Sequence, residues 1–198
     1  EMVKPADLGR QVNRILANRE IRGTLDAIAA VGGSAVYRSC DITDAQSLGV
    51  VLDEARATGP IHGFIHGAGV LADKLIAEKT QDQFDFVYDT KTLGLQALLD
   101  VTGEDDLKAV VLFSSVAARC GNQGQCDYAM ANEVLNKVGH AVRAARPGCV
   151  VKSLGWGPWE GGMVTPALKK HFESLGVPLI PLDAGARMLV DEMQDRSG

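Results

Sequence analysis

The sequence is short of the residues that build metal centres, membrane anchors and nucleic-acid grips. Its four cysteines, Cys40, Cys120, Cys126 and Cys149, form no CxxC pair and stand beside no cluster of histidines. Zinc-ligand spacing is therefore missing and no metal is expected. The thiols read as reduced and mostly buried, as in a cytoplasmic protein. No apolar run approaches the ~20 residues that span a bilayer, so no membrane partner is expected. A formal net charge of -5 argues against a nucleic-acid partner. His62, His66, His140 and His171 have no metal-ligating partners in a cluster and read as structural. The opening run Glu1-Met2-Val3-Lys4-Pro5 has none of the character of a signal peptide. Lacking an initial Met, it reads as starting inside a longer protein.

What is there is ordinary globular composition: 198 residues, 46% hydrophobic and 23% charged, enough for a single domain. Helix-like and strand-like stretches alternate. Apolar Leu8, Val12, Ile15, Leu16, Ile21, Leu25 and Ile28 recur at helical spacing over 7–30, and Gly32-Gly33 ends that pattern. A short strand is expected over 34–39. Thr43 or Asp44 caps a helix through 57. Strand 61–66 runs into the loop Gly67-Ala68-Gly69. Thr80 caps a long helix to about 101. The nearly all-apolar stretch over 109–114 reads as a parallel strand covered on both faces. Helix 126–145 and strand 149–154 follow, then Gly155-Trp156-Gly157-Pro158-Trp159, and two shorter helices over 166–175 and 183–193. This alternation indicates an α/β fold, a doubly wound parallel sheet in three layers. Ligands of such sheets bind beyond the carboxyl ends of the strands. The loops at Cys40-Asp41, Gly67–Gly69, Ser114-Ser115 and Gly155–Trp159 are therefore expected to line one crevice.

Within that crevice two positions stand out. Tyr128 and Asn132, four apart in Tyr128-Ala129-Met130-Ala131-Asn132, share a helix face. Ser115 closes the apolar strand that precedes this helix, so its hydroxyl and the Tyr128 phenol can meet at the crevice. Taken singly, a strand-end Ser is ordinarily a turn residue, a helical Tyr a packing residue and a Lys a solvated one.

At these residues the chain resembles the short-chain dehydrogenase/reductase superfamily, and more closely the ketoreductase domains of polyketide and polyunsaturated fatty acid synthases. The resemblance is carried by His66-Gly67-Ala68-Gly69-Val70-Leu71, Leu112-Phe113-Ser114-Ser115, Gly124-Gln125, the Tyr128–Asn132 block and Trp156-Gly157-Pro158-Trp159. Many reductases of the superfamily place lysine four residues after the tyrosine, where this chain has Asn132. The synthase ketoreductases exchange the two and carry the lysine on the preceding long helix, where Lys91 stands.

The resemblance implies a catalytic set of Tyr128, Ser115, Lys91 and Asn132, with NADPH as cofactor. A phenol titrates near ~10, too weakly acidic for ready transfer at neutrality, and a neighbouring ammonium is expected to lower it. Ser115 would hydrogen-bond the carbonyl oxygen as it becomes anionic. Asn132 would hold Lys91 or a relay water. Cofactor contacts are expected at Asp41, Ile42, Gly67, Ala68, Gly69, Ser114, Gly155, Trp156 and Gly157. A tight turn or helix cap is the plain alternative for Asp41 and the glycine loop, and core packing is the alternative for Trp156 and Trp159. Asp73 falls where relatives carry an acidic motif linked to the D (3R) alcohol. It reads equally well as a solvated helix-start residue. Cys120 replaces a Trp associated with the opposite outcome. Trp159 and Met163, with the stretch to 179, are expected to bear on the substrate as part of a mobile lid.

No glycine-rich phosphate loop of the GxGxxG type follows a strand in this sequence. The resemblance puts that loop after the family's first strand, and strand 34–39 would be the family's third, which is not a neighbour of the fourth. Residues 1–198 are thus expected to be one ketoreductase catalytic segment of a Rossmann-like sheet lacking its first two strands and its last. Other synthase domains, residues outside this stretch or another chain would supply them. The leading reading is reduction of a β-ketoacyl thioester, carried on the phosphopantetheine of an acyl carrier protein, to the β-hydroxyacyl thioester. The rivals are a non-catalytic docking domain and a free-standing ketone reductase.

Overall fold

The computed structural model describes residues 5–196. They divide into two compact units, one running to Ser39 and the other starting at Cys40. The first unit is helix α1 (Pro5–Ala30) and the segment after it. Proline suits a first helical turn, whose N–H has no intrahelical partner. The helix ends where Gly32 takes φ +80°, a left-handed conformation that glycine adopts without strain. Of the apolar residues in its pattern, Ile21, Leu25 and Ile28 are half-buried, whereas Leu8, Val12, Ile15 and Leu16 are exposed.

The strand expected over 34–39 does not form; those residues are irregular and exposed. A strand exists by virtue of its ladder, and no described segment pairs with this one.

The second unit contains α2 (Ala45–Arg56), β1 (Gly63–His66), α3 (Gln81–Val101), β2 (Ala109–Ser115), α4 (Ala117–Cys120), α5 (Cys126–Ala145), β3 (Val150–Trp156), α6 (Pro166–Ser174) and α7 (Leu182–Gln194). The caps explain the helix starts. Asp44, not Thr43, caps α2 by accepting the N–H groups of Gln46 and Ser47. Thr80 and Gln83 form a reciprocal capping box at α3. The single turn α4 was not expected from the sequence.

The three strands form a parallel sheet in the order β1-β2-β3, with Phe64 beside Val110 and Val110 beside Val151. Alternation along β2 sends Val110 and Leu112 to one face, against Leu95 of α3 and Leu135 of α5. A second cluster joins Leu48 of α2 to Ala97 and Leu98 of α3. The opposite face holds α7 over β3, where Lys152 meets Glu192 and Asp195. Helices thus lie on both faces, as a doubly wound sheet requires. Ile65, on that second face of β1, is 49% exposed. Val110, Val111 and Leu112 are completely buried, which accounts for the unbroken apolar run of β2.

The end of the sheet remote from the predicted crevice is tied by Arg56, which donates two hydrogen bonds to Asp105 at 3.1 and 2.7 Å and one to the Val101 carbonyl. Arg146 adds bonds to the carbonyls of Gly103 and Asp105. The cysteines are free; Cys149 is buried, but Cys120 is exposed, contrary to the expectation of mostly buried thiols. Among the described residues no helix is long and apolar enough to cross a membrane.

Leu135 is fully buried at the centre of the main cluster. Leu135→Ala should lower the unfolding free energy by about 2–5 kcal/mol, measured by urea denaturation. A loss below about 1 kcal/mol would show that the cluster is not the core.

Candidate active site

The carboxyl ends of β1, β2 and β3 carry His66, Ser115 and Trp156, and the residues singled out in the sequence gather around the first two. Lys91 comes from the middle of α3 and is 3% exposed. Its Nζ donates to the Phe113 carbonyl at 2.9 Å and lies 5.5 Å from the centroid of the Tyr128 ring. That is within the range of a cation–π contact. Burial lowers the Lys91 pKa to about 8, because removing an ammonium from water disfavours its charged form. Gly69 makes room for it. A Cβ there would come 3.1 Å from Lys91 Cε and 3.4 Å from Nζ.

Asn132 is completely buried. Its Nδ2 donates to the Tyr128 carbonyl at 2.8 Å, and its Oδ1 has no hydrogen-bond partner among the described residues. Such orphaned buried acceptors are uncommon. The Asn132 carbonyl accepts the Ser114 hydroxyl at 3.1 Å, which stitches β2 to α5. Ser115 Oγ accepts the Ala117 N–H at 3.1 Å and so starts α4.

The half-buried Tyr128 phenol is held above its ordinary pKa, first by burial, while the side chains of Asn132 and Ser115 pull the other way and the Asp73 charge adds to the rise. This reverses the sequence expectation of a lowered value. Desolvation outweighs the hydrogen bonds of Asn132 and Ser115.

Asp73 is not a helix-start residue. It lies in the loop after β1 and accepts a hydrogen bond from Gln125 Nε2 at 2.9 Å, three residues ahead of Tyr128. His66 is 1% exposed and donates through Nε2 to the Lys91 carbonyl at 2.9 Å. Burial, and then the Lys91 charge, hold it below its usual pKa and hence neutral.

Several expected cofactor contacts are placed differently. The Ile42 side chain packs into the α2–α3 cluster and would meet any Cβ at Gly94 at 3.1 Å. The Ser114 side chain points to α5. Trp156 is in an aromatic cluster, 5.7 Å from Phe113 and 4.8 Å from Trp159 between ring centroids. Trp159 in turn abuts Gly185 of α7 and pairs with Ile180. Trp156, buried, and Trp159, half-buried, thus pack against each other and against Phe113. Asp41 forms a local turn, its carboxylate accepting the Thr43 N–H and hydroxyl at 2.9 and 2.8 Å. Those bonds lower its pKa. Gly67 has open space where a side chain would stand, whereas Gly155 and Gly157 are in ordinary contact with Ser115 and Ile180. Met163 is 44% exposed, and no residue of α6 is buried.

One feature of the site was not foreseen from the sequence. Lys79 and Asp127 form an ion pair at 2.6 Å, with side chains 3% and 2% exposed. An acidic residue in the first turn of a helix was the available signal for Asp127. Nothing local marks Lys79. A cavity of about 250 Å³ adjoins the cluster on the α5–β3 side. Ser115, Arg119, His140, Arg143 and Gly155 line it, and Lys91, Tyr128 and Asn132 do not. Among the described residues no group of three or more His, Cys, Asp or Glu is placed to hold a metal.

Comparison with known proteins identifies the family. A family model described as the KR domain matches residues 8–161. One of the polyunsaturated fatty acid synthase polypeptides of Thraustochytrium sp. is 47% identical over 184 residues, which is 92% of this chain but 6% of that protein. The crystal structure of an N-terminal ketoreductase from the macrolactin assembly line aligns with a TM-score of 0.78 and 28% identity, covering 90% of this chain and 36% of that one. A ketoreductase domain from the bacillaene assembly line aligns with a TM-score of 0.78 and 26% identity, over 98% and 45%. The chain thus spans a small part of its synthase relatives and under half of these solved ketoreductases. With Tyr128, Ser115, Lys91 and Asn132 converging at the end of a parallel sheet, the chain belongs to the KR (ketoreductase) domain family.

Proposed function

We propose that this chain carries the proton-donating centre of an NADPH-dependent ketoreductase, which reduces a β-ketoacyl thioester on an acyl carrier protein to the β-hydroxyacyl thioester in the cytoplasm. The observation that carries the reading is the convergence of Lys91, Tyr128, Ser115 and Asn132 from three separate elements. Nothing in the packing alone requires an ammonium to be buried 5.5 Å from a phenol ring.

The Tyr128 phenol, held above its usual pKa, is protonated at neutrality and so stands in the form that can donate. As negative charge builds on the substrate carbonyl oxygen, the phenol O–H bond breaks and an alcohol O–H bond forms. The Lys91 ammonium stabilises the phenolate left behind. Ser115 donates to the same carbonyl oxygen, although its Oγ must keep the Ala117 N–H as well. Asn132 holds the first turn of α5 through the Tyr128 carbonyl and offers Oδ1 to Lys91 or to a water that returns the proton.

The orphaned Asn132 Oδ1 and the open backbone at Gly67 fit a nicotinamide nucleotide. Gly67, Ala68 and Gly69 would take its ribose side, with Asp41 at the adenine and Gly155 and Gly157 near the nicotinamide. When bound, the cofactor supplies the hydride equivalent to the carbonyl carbon. The side chains of Ile42, Ser114 and Trp156 are engaged with neighbouring elements, so their part in the contact set would fall to their backbone. The pyrophosphate grip belongs to residues outside this stretch, in the same or another synthase chain. Two facts support that: the solved ketoreductases are more than twice as long as the part aligned, and β1 pairs only with β2 among the described residues. The lid reading of Trp159–Leu179 keeps support from the unburied α6, hinged on the fixed Trp159–Ile180 pair.

In the full-length protein, NADPH oxidation with a β-ketoacyl thioester should fall by about 10²–10⁴-fold in Tyr128→Phe, and an unchanged rate would refute the catalytic reading. The pH profile follows from Lys91. Its ammonium is present below its pKa of about 8 and is lost above it, so kcat/KM should decline as pH rises through about 8. Tyr128, with its raised pKa, keeps its proton throughout that window. A rate that holds level well beyond that pH would show that the Lys91 charge is not used.

A further inference from the structure

Helix α5 begins without a side-chain N-cap, because Gln125 at the cap position makes no capping bond. Asp127, one residue before Tyr128, takes over part of that role. Its Oδ1 accepts the Tyr128 N–H at 2.9 Å, and its Oδ2 accepts from Lys79 Nζ at 2.6 Å. Lys79 also donates to the Ala72 carbonyl at 2.8 Å. The Lys74 N–H bonds the Gly124 carbonyl at 3.0 Å, and Gln125 reaches Asp73. The loop 72–79 is thus laced to the first turn of α5, and the one charged link in the lacing is almost completely dry.

A dry ion pair is a poor way to gain stability, since desolvating two charges can cost more than their attraction returns. It does fix direction. The Asp127 carboxylate is shared between the Tyr128 backbone N–H and the Lys79 ammonium, so the rotation of the first turn of α5 is tied to the position of Lys79. That rotation decides where the phenol ring lies relative to Lys91 on the other side.

We infer that the Lys79–Asp127 pair is a positioning clamp that aims the Tyr128 phenol between Lys91 and the Asp73 loop. The inference rests on the proposed role of Tyr128 as the acid. Lys79 and Asp127 are positioning residues that act through Tyr128 and touch no reacting atom.

The test uses the full-length protein, with Tyr128→Phe made in the parent and in two altered backgrounds. One background is Lys79→Met/Asp127→Leu, which removes both charges and leaves neither unpaired. The other is Asp127→Asn, which keeps the shape and removes the charge. The thermal midpoint, kcat and KM with a β-ketoacyl thioester are read for each. A clamp predicts that the double variant stays folded with KM within about twofold, while kcat falls on the order of 10- to 100-fold, as for an acid misplaced by about 1 Å. Asp127→Asn, which leaves the buried Lys79 ammonium unpaired, should lower the thermal midpoint as well, and its kcat is read below that midpoint. It also predicts that Tyr128→Phe costs much less in those backgrounds than in the parent, since residues acting through one another are non-additive. A parental kcat in either folded background, or an equal cost of Tyr128→Phe in parent and variants, overturns the clamp. If Tyr128→Phe leaves the parent unaffected, the catalytic reading itself has failed, which is a separate outcome.

Discussion

An ammonium buried at the end of a parallel sheet is costly, and much of this molecule's architecture bears on where Lys91 is held. The side chain leaves α3 between the sheet and α5, with one hydrogen bond to a β2 carbonyl and an aromatic face nearby. A side chain at position 69 would press on its end. The α3 backbone beneath it is fixed by His66, itself neutral and buried. The dense packing of α3 and α5 on β2 supplies the rigidity. Without that packing the ammonium would swing into water, and its pKa would return toward the ordinary value.

Function and stability then pull in opposite directions at this residue. With the folded pKa near 8 and the ordinary value at 10.5, the unfolded chain binds more protons between those two values. Stability therefore rises with pH across that window. The cation the proposed chemistry needs disappears over the same range. At neutrality the fold carries the full desolvation cost of the cation. Tyr128 shows the complementary case, with burial favouring its neutral, proton-bearing form.

Much of this was legible in the sequence. Thr80 announced α3 and hence the face carrying Lys91; the apolar run of β2 announced a strand covered on both sides; the spacing of Tyr128 and Asn132 put them on one face of α5. Other features depended on distant partners. Residues 34–39 have strand-like composition, but a strand needs a neighbour to pair with. Ile42, Ser114 and Trp156 stand at the right loops, yet their side chains turn inward because α3, α5 and Phe113 offer them apolar or hydrogen-bonding contacts. The link between Lys79 and Asp127 joins residues far apart in the chain, and no local pattern reports such a pair.

The proposed chemistry turns on a charged, desolvated Lys91 beside Tyr128. The most direct measurement is the titration of the Lys91 side-chain nitrogen by ¹⁵N NMR in the folded protein, with Lys91→Arg used to assign the signal. The structure predicts a midpoint near 8. A midpoint at the ordinary lysine value of 10.5 would place the ammonium in water and contradict that claim.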